Sequence, residues 1–86
     1  MQKTIKLLTN FGKSNENLKV EGTLRVREVF VSLMKDMNIE VPTEELDPLV
    51  EILLNGRDIN FYSKKLDEEL KDGDILEIYL TPLGGG

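Results

Sequence analysis

The 86-residue sequence contains no cysteine and no histidine. Without cysteine there is no disulfide framework, no thiolate nucleophile and no cysteine-based metal or iron–sulfur site, which is compatible with a cytoplasmic protein. Without histidine the commonest general base and the commonest zinc ligand are both missing. We therefore expect no bound metal or cofactor, and a chain that is not an enzyme acting alone.

The sequence also lacks an apolar run of the length that spans a membrane, and it lacks the features of a signal peptide. Its net charge of −5 argues against binding to nucleic acid and favours solubility or a basic partner surface. With 40% hydrophobic and 31% charged residues, the composition is that of one small folded domain with a single thin core.

In the first third of the chain, the spacing of apolar residues changes from the alternation of strands to the three- and four-residue spacing of a helix. Alternating residues predict strands over Lys3–Thr9 and Leu18–Leu24, joined by a loop over residues 10–17. From Val26 the apolar residues recur at three and four, which predicts a helix with Val31 half-exposed beside its apolar stripe. That stripe contains Val26, Val29, Phe30, Leu33, Met34 and Met37.

After a polar loop over residues 39–48, the sequence predicts strands and turns for the second half of the chain. A strand over Leu49–Leu54 leads into Asn55–Gly56, the strongest hairpin signal in the chain, and a fourth strand is expected over Arg57–Phe61. Leu66 and Leu70 are expected to hold a helical turn on the core. A tight turn over residues 71–74 precedes the last strand, which ends at Leu80 and alternates between two sets: Leu76, Ile78 and Leu80 against Ile75, Glu77 and Tyr79.

This order of elements predicts an α+β fold of the β-grasp (ubiquitin-like) type. One helix with one apolar stripe covers one face of a mixed sheet of four to five strands, and the last strand lies in the middle of that sheet. We expect a β-grasp domain over residues 1–80 and a flexible C-terminal glycine tail over residues 81–86.

The tail is the most particular feature of the sequence, which ends in Thr81-Pro82-Leu83-Gly84-Gly85-Gly86. Glycine has no side chain to bury and has the greatest backbone freedom, so this segment cannot contribute to a core. Extended, six residues reach roughly 20 Å, enough to enter a deep active site on another protein. The alternative interpretation is a frayed end or a cloning remnant.

Several motifs resemble those of the MoaD/ThiS family of ubiquitin-like sulfur carriers, most closely its MoaD branch, the small subunit of molybdopterin synthase. They are Leu54-Asn55-Gly56-Arg57-Asp58-Ile59, Leu66, Leu70-Lys71-Asp72-Gly73-Asp74 and the tail from Thr81 to Gly86. The sequence departs from the family pattern at Thr81, where the first of two prolines is usual, and at Gly84, which adds a third glycine.

The resemblance implies that the carboxylate of Gly86, preceded by Gly85, is adenylated with ATP by a MoeB/ThiF-like enzyme. The acyl-adenylate would become a thiocarboxylate, which donates sulfur in molybdopterin or tungstopterin synthesis together with a MoaE-like large subunit. Two alternatives stay open: a modifier resembling the archaeal SAMP proteins, joined to lysines of target proteins, and a ThiS-like sulfur donor for thiazole synthesis.

Ordering the tail on a partner costs on the order of 6–12 kcal/mol of backbone entropy, so a folded surface must offset the loss. We expect Leu8, Leu53 and Tyr79 on the outward face of the sheet to form that surface. The tail residues expected to contact the partner are Thr81, Pro82, Leu83 and Gly84. The alternative is that the three side chains are scattered surface hydrophobics, which are common on soluble proteins.

Overall fold

The computed structural model describes residues 2–10, 15–36 and 50–80. Within these ranges the chain forms β1 (Gln2–Thr9), β2 (Asn15–Glu21), α1 (Val26–Asp36), β3 (Val50–Leu54), β4 (Arg57–Asp58) and β5 (Ile75–Leu80), with 3-10 helices at Ile59–Phe61 and Lys65–Asp67. The strand order is β2-β1-β5-β3-β4. Only β1 and β5 pair in parallel; the other neighbours are antiparallel. The predicted β-grasp architecture, with the last strand at the centre of a mixed sheet, is confirmed.

The core lies between α1 and one face of the sheet. The predicted helical stripe supplies four buried residues, while Leu33 is half-buried and Val31 is 39% exposed, as expected for a residue beside the stripe. The sheet supplies the alternate residues of its three central strands. The buried residues of the helix and the central strands are Val26, Val29, Phe30, Met34, Ile5, Leu7, Ile52, Leu54, Leu76 and Ile78.

The first hairpin extends further than its sequence pattern predicts. β2 begins at Asn15, not at Leu18, because Asn15 pairs with Leu8 and continues the antiparallel ladder into the expected loop. β2 also ends earlier, at Glu21, where Gly22 takes a φ of 81° and turns the chain away from the sheet. Leu24 therefore lies outside the strand, although it still packs against the core.

The expected fourth strand is correct only in its first two residues, Arg57 and Asp58. The Asp58 carboxylate accepts a hydrogen bond from the backbone N–H of Asn60 at 2.8 Å and so begins a 3-10 helix. This turn buries Ile59 and leaves Phe61 76% exposed. The expected turn near Leu66 and Leu70 is confirmed, since both side chains are buried.

Two asparagine side chains hold the two ends of β5. At its start, Asn55 lies in the predicted hairpin turn with a φ of 54°, and its Oδ1 accepts from the Ile75 backbone N–H at 2.9 Å. At its end, Asn10 Nδ2 donates to the Leu80 carbonyl at 2.9 Å while Asn10 Oδ1 accepts from the Leu80 N–H at 2.8 Å. The Asn10 amide thus continues the β1–β5 ladder beyond the last backbone pair, which joins Thr9 and Ile78.

Replacing Phe30 by Ala tests the placement of α1. Phe30 is fully buried, so we expect a loss of about 3–5 kcal/mol in the free energy of unfolding, measured by urea denaturation. Val31→Ala on the same helix is the control and should cost less than about 1 kcal/mol. Equal losses for the two variants would contradict the described packing.

Replacing Asn10 by Ala tests the hold on the end of β5. The variant loses two hydrogen bonds and should be destabilised by about 1–2 kcal/mol. Amide hydrogen exchange at Leu80 should be faster, because the partner of its N–H is removed. Asn15→Ala, at an exposed position of β2, should leave that exchange rate unchanged. Unaltered protection of the Leu80 amide in Asn10→Ala would show that the two hydrogen bonds between the Asn10 side chain and Leu80, which we call the amide clamp, are not formed.

Candidate functional site

The predicted tail begins where β5 ends. Leu80 is paired with Val50 of β3 and is held on its other side by Asn10. The point from which the chain continues is therefore fixed against both neighbouring strands. The six predicted tail residues, Thr81, Pro82, Leu83, Gly84, Gly85 and Gly86, lie outside the described residues, as do Met37 and the expected loop over residues 39–48. Their roles stay predictions.

The outward face of the sheet brings together the three residues expected to contact a partner. Leu8 of β1 and Leu53 of β3 are both register partners of Glu77 in β5, so the three residues form one row across the sheet. Tyr79 lies two residues further along β5, on the same face, opposite Glu51. The leucines, Tyr79 and Glu77 are all half-buried.

Ile75 extends this surface toward the start of β5. It occupies the same face as Glu77 and Tyr79, two residues before Glu77, and it is 38% exposed. We call the five residues the outward patch: Leu8, Leu53, Ile75, Glu77 and Tyr79. Within the patch the apolar side chains surround the carboxylate of Glu77, and the charged residues Glu51 and Lys6 lie on the same face beside it, opposite Tyr79 and Ile75.

The carboxylate of Glu77 is tied to Tyr79 within the patch. The Tyr79 hydroxyl donates a hydrogen bond to Glu77 Oε2. This hydrogen bond, followed by desolvation and by the charges of Glu77 and Glu51, raises the pKa of Tyr79 above its ordinary value. Tyr79 is therefore a neutral donor at physiological pH, and the negative charge of the pair resides on Glu77.

This electrostatic arrangement sets a requirement for anything that covers the patch. Removing a carboxylate from water costs free energy unless a hydrogen-bond donor or a cation takes the place of the water. Tyr79 supplies one hydrogen bond to Glu77, and a carboxylate has room for several more. A complementary surface would be apolar around the rim and would present a basic side chain or N–H donor opposite Glu77.

The charged contacts elsewhere have a structural role. Arg27 of α1 donates to Asp67 at 2.9 Å, and this hydrogen bond lowers the pKa of the Asp67 carboxyl. Lys3 and Glu69 form a second exposed ion pair at 3.4 Å. In residues 2–10, 15–36 and 50–80, no group of three or more Asp or Glu side chains is arranged to hold a metal ion. The same ranges contain no helix long and apolar enough to cross a membrane.

Three residues of this region were not expected from the sequence: Asn10, Ile75 and Glu77. Ile75 and Glu77 could have been included, because the period-2 pattern of the last strand already assigned them to the face of Tyr79. No sequence pattern distinguishes Asn10 from any other asparagine in a loop after a strand. Its contact with Leu80 joins residues 70 positions apart.

The comparisons with solved structures support the fold. A Pyrococcus furiosus protein described as molybdopterin converting factor, subunit 1, matches with a TM-score of 0.67 and 26% identity, covering 93% of this chain and 99% of that one. The HVO 2177 protein of Haloferax volcanii matches with a TM-score of 0.74, 22% identity and coverages of 98% and 88%. Small archaeal modifier protein 1 of Methanosarcina acetivorans matches with a TM-score of 0.63, 24% identity and coverages of 100% and 99%.

Sequence comparison gives the family. Among curated proteins, none matches the chain significantly. The family model described as the ThiS family matches residues 6–86, which is nearly the whole sequence and includes the tail. With the β-grasp topology and the structural matches above, the chain belongs to the ThiS family of MoaD/ThiS-like, ubiquitin-fold sulfur carriers.

Proposed function

We propose that this protein carries sulfur on its C-terminal glycine for the synthesis of molybdopterin or tungstopterin. The observation that supports this most strongly is the position of β5 between β1 and β3, with Leu80 held by Val50 on one side and by the Asn10 side chain on the other, directly before the Thr81–Gly86 sequence. A fixed strand end is what a flexible arm needs if its tip is to enter a partner at a defined place. The Pyrococcus furiosus relative, described as a molybdopterin converting factor subunit, favours this pathway over the alternatives.

The chemistry takes place at the carboxylate of Gly86. A carboxylate resists nucleophiles, so a MoeB/ThiF-like enzyme would first join it to AMP from ATP, releasing pyrophosphate. A sulfur donor would then displace AMP and leave a thiocarboxylate. In a complex with a MoaE-like large subunit, this sulfur would pass to the pterin precursor and the carboxylate would be restored. The chain itself supplies the carrier group, and the partner enzymes supply the catalytic residues.

The outward patch is the proposed docking surface for these partners. Holding the tail in a channel costs on the order of 6–12 kcal/mol of backbone entropy, and burial of the patch can offset this cost. Leu8, Leu53 and Tyr79 lie within one small area across three adjacent strands. Glu77 at the centre adds selectivity, because it favours partners with a basic side chain at that point.

Conversion of the terminus can be followed by mass spectrometry. After incubation with the adenylating enzyme, ATP and a sulfur donor, we expect the intact protein to gain the mass difference between sulfur and oxygen, located at Gly86. A variant without Gly85 and Gly86 should gain nothing. Its free energy of unfolding should stay within about 0.5 kcal/mol of the full-length value, since a solvated tail adds no packing.

The same experiment separates the alternative functions. Adducts in which Gly86 is joined to target lysines, without thiocarboxylate, would replace the proposal by a SAMP-like modifier. Thiocarboxylate that is consumed in thiazole synthesis, and not by a MoaE-like subunit, would assign a ThiS-like role. An unchanged terminus with every adenylating enzyme tested would remove sulfur carriage altogether.

Replacing Leu53 by Lys tests the outward patch. The substitution places a charge beside Glu77 in the apolar row and should weaken binding to the adenylating enzyme about tenfold or more, measured by titration calorimetry. Val31→Lys introduces the same side chain on α1, away from the outward patch, at a residue that is 39% exposed. It should leave affinity unchanged. Equal affinities for the two variants would mean that docking uses another surface.

A further inference from the structure

A groove of about 340 Å³ lies between β2 and α1, on the side of the sheet opposite the outward patch. Its floor is apolar and includes Leu18, Val20, Leu24 and Leu33. All four side chains are half-buried, whereas the residues beneath them in the core are almost fully buried. The groove is therefore an apolar surface that the described part of the chain leaves partly uncovered.

One wall of the groove is a strand with an unused edge. β2 pairs with β1 through all seven of its residues, from Gln2↔Glu21 to Leu8↔Asn15, without a break in register. In the described sheet no strand lies on its other side. Unpaired N–H and C=O groups along such an edge are a template for an added strand. β2 carries three charged residues, Glu16, Lys19 and Glu21, and contains neither proline nor a bulge.

The other wall is acidic. Glu28, Ser32 and Asp36 follow one another at intervals of four along α1 and line the groove, so they form a ridge on one side of the helix. Glu16 lines it from β2. The lining thus has three carboxylates against one lysine, a net charge of −2. Glu28 accepts a hydrogen bond from the Arg25 backbone N–H at the start of the helix.

We propose that the β2–α1 groove binds an extended segment of another protein, with a short apolar core flanked by lysine or arginine, as an additional strand beside β2. An added strand would pair with the open edge through its backbone, and alternate side chains would point toward the apolar floor. Its basic residues would meet the carboxylates of Glu16, Glu28 and Asp36. This surface is separate from the outward patch, so a protein bound here does not compete with docking of the tail.

Charge makes a second copy of this chain a poor occupant. The chain has a net charge of −5 and the groove lining a net charge of −2, so a second copy would bring more negative charge to a surface that is already negative. A basic partner segment meets no such repulsion, and it gains from every carboxylate on the wall.

The test is an NMR titration of the full chain with two synthetic peptides that match β2 in length. One has a Val/Ile core flanked by lysines, and the other has the same core flanked by glutamates. We expect the lysine peptide to shift the amide signals of β2 and of Ser32 while leaving Ile75 and Tyr79 unchanged, with an affinity that falls as salt rises. The glutamate peptide should bind more weakly.

Two charge-reversal variants make the test specific. Asp36→Lys removes an acidic group from the groove at an exposed position near the helix end, where lysine suits the helix dipole. It should weaken binding of the lysine peptide about fivefold. Glu51→Lys, an exposed carboxylate on the outward face, should have no effect. Equal binding of both peptides, shifts centred on the outward patch, or the same shifts from raising the protein concentration alone would each overturn the proposal.

Discussion

The pairing of β5 along both of its edges is the constraint on which the other features depend. β5 is parallel to β1 and antiparallel to β3, and the amides of Asn10 and Asn55 hold its two ends. Because side chains alternate along a strand, a shift of one residue would exchange the two faces of β5. Leu76 and Ile78 would then leave the core, and Glu77 would enter it. The register of this one strand thus fixes the core, the outward patch and the origin of the tail together.

The two faces of the sheet serve different purposes because one helix can cover only one of them. α1 closes the inward face over the central strands, but it leaves Leu18 and Val20 of the edge strand half-buried. The outward face has no covering element among the described residues and collects Leu8, Leu53 and Tyr79 around Glu77. In the proposed function the chemistry takes place at the terminus, and the two surfaces select the partners.

The features that could be predicted from the sequence depend on interactions between residues close together in the chain. The start of α1 follows from its apolar period, and the turn at Asn55–Gly56 follows from the need for positive φ. β2 was expected to start three residues too late because asparagine and glutamate have low strand propensity, which pairing with β1 overrides. β4 is cut short by one local hydrogen bond from Asn60 to Asp58.

The amide clamp of Asn10 could not be predicted, since this requires knowing which strand lies beside Asn10. The assignment of the tail still rests on the family resemblance.

The clamp between Asn10 and Leu80 has a mechanical consequence. A tensile force applied at Leu80 along the axis of β5 runs parallel to both neighbouring strands. Such a force shears the ladders, so it strains many hydrogen bonds at once, whereas peeling a strand from its end breaks them singly. A force of this direction would therefore load both ladders of β5 together. The sheet therefore acts as an anchor that keeps β5 in place under such a force.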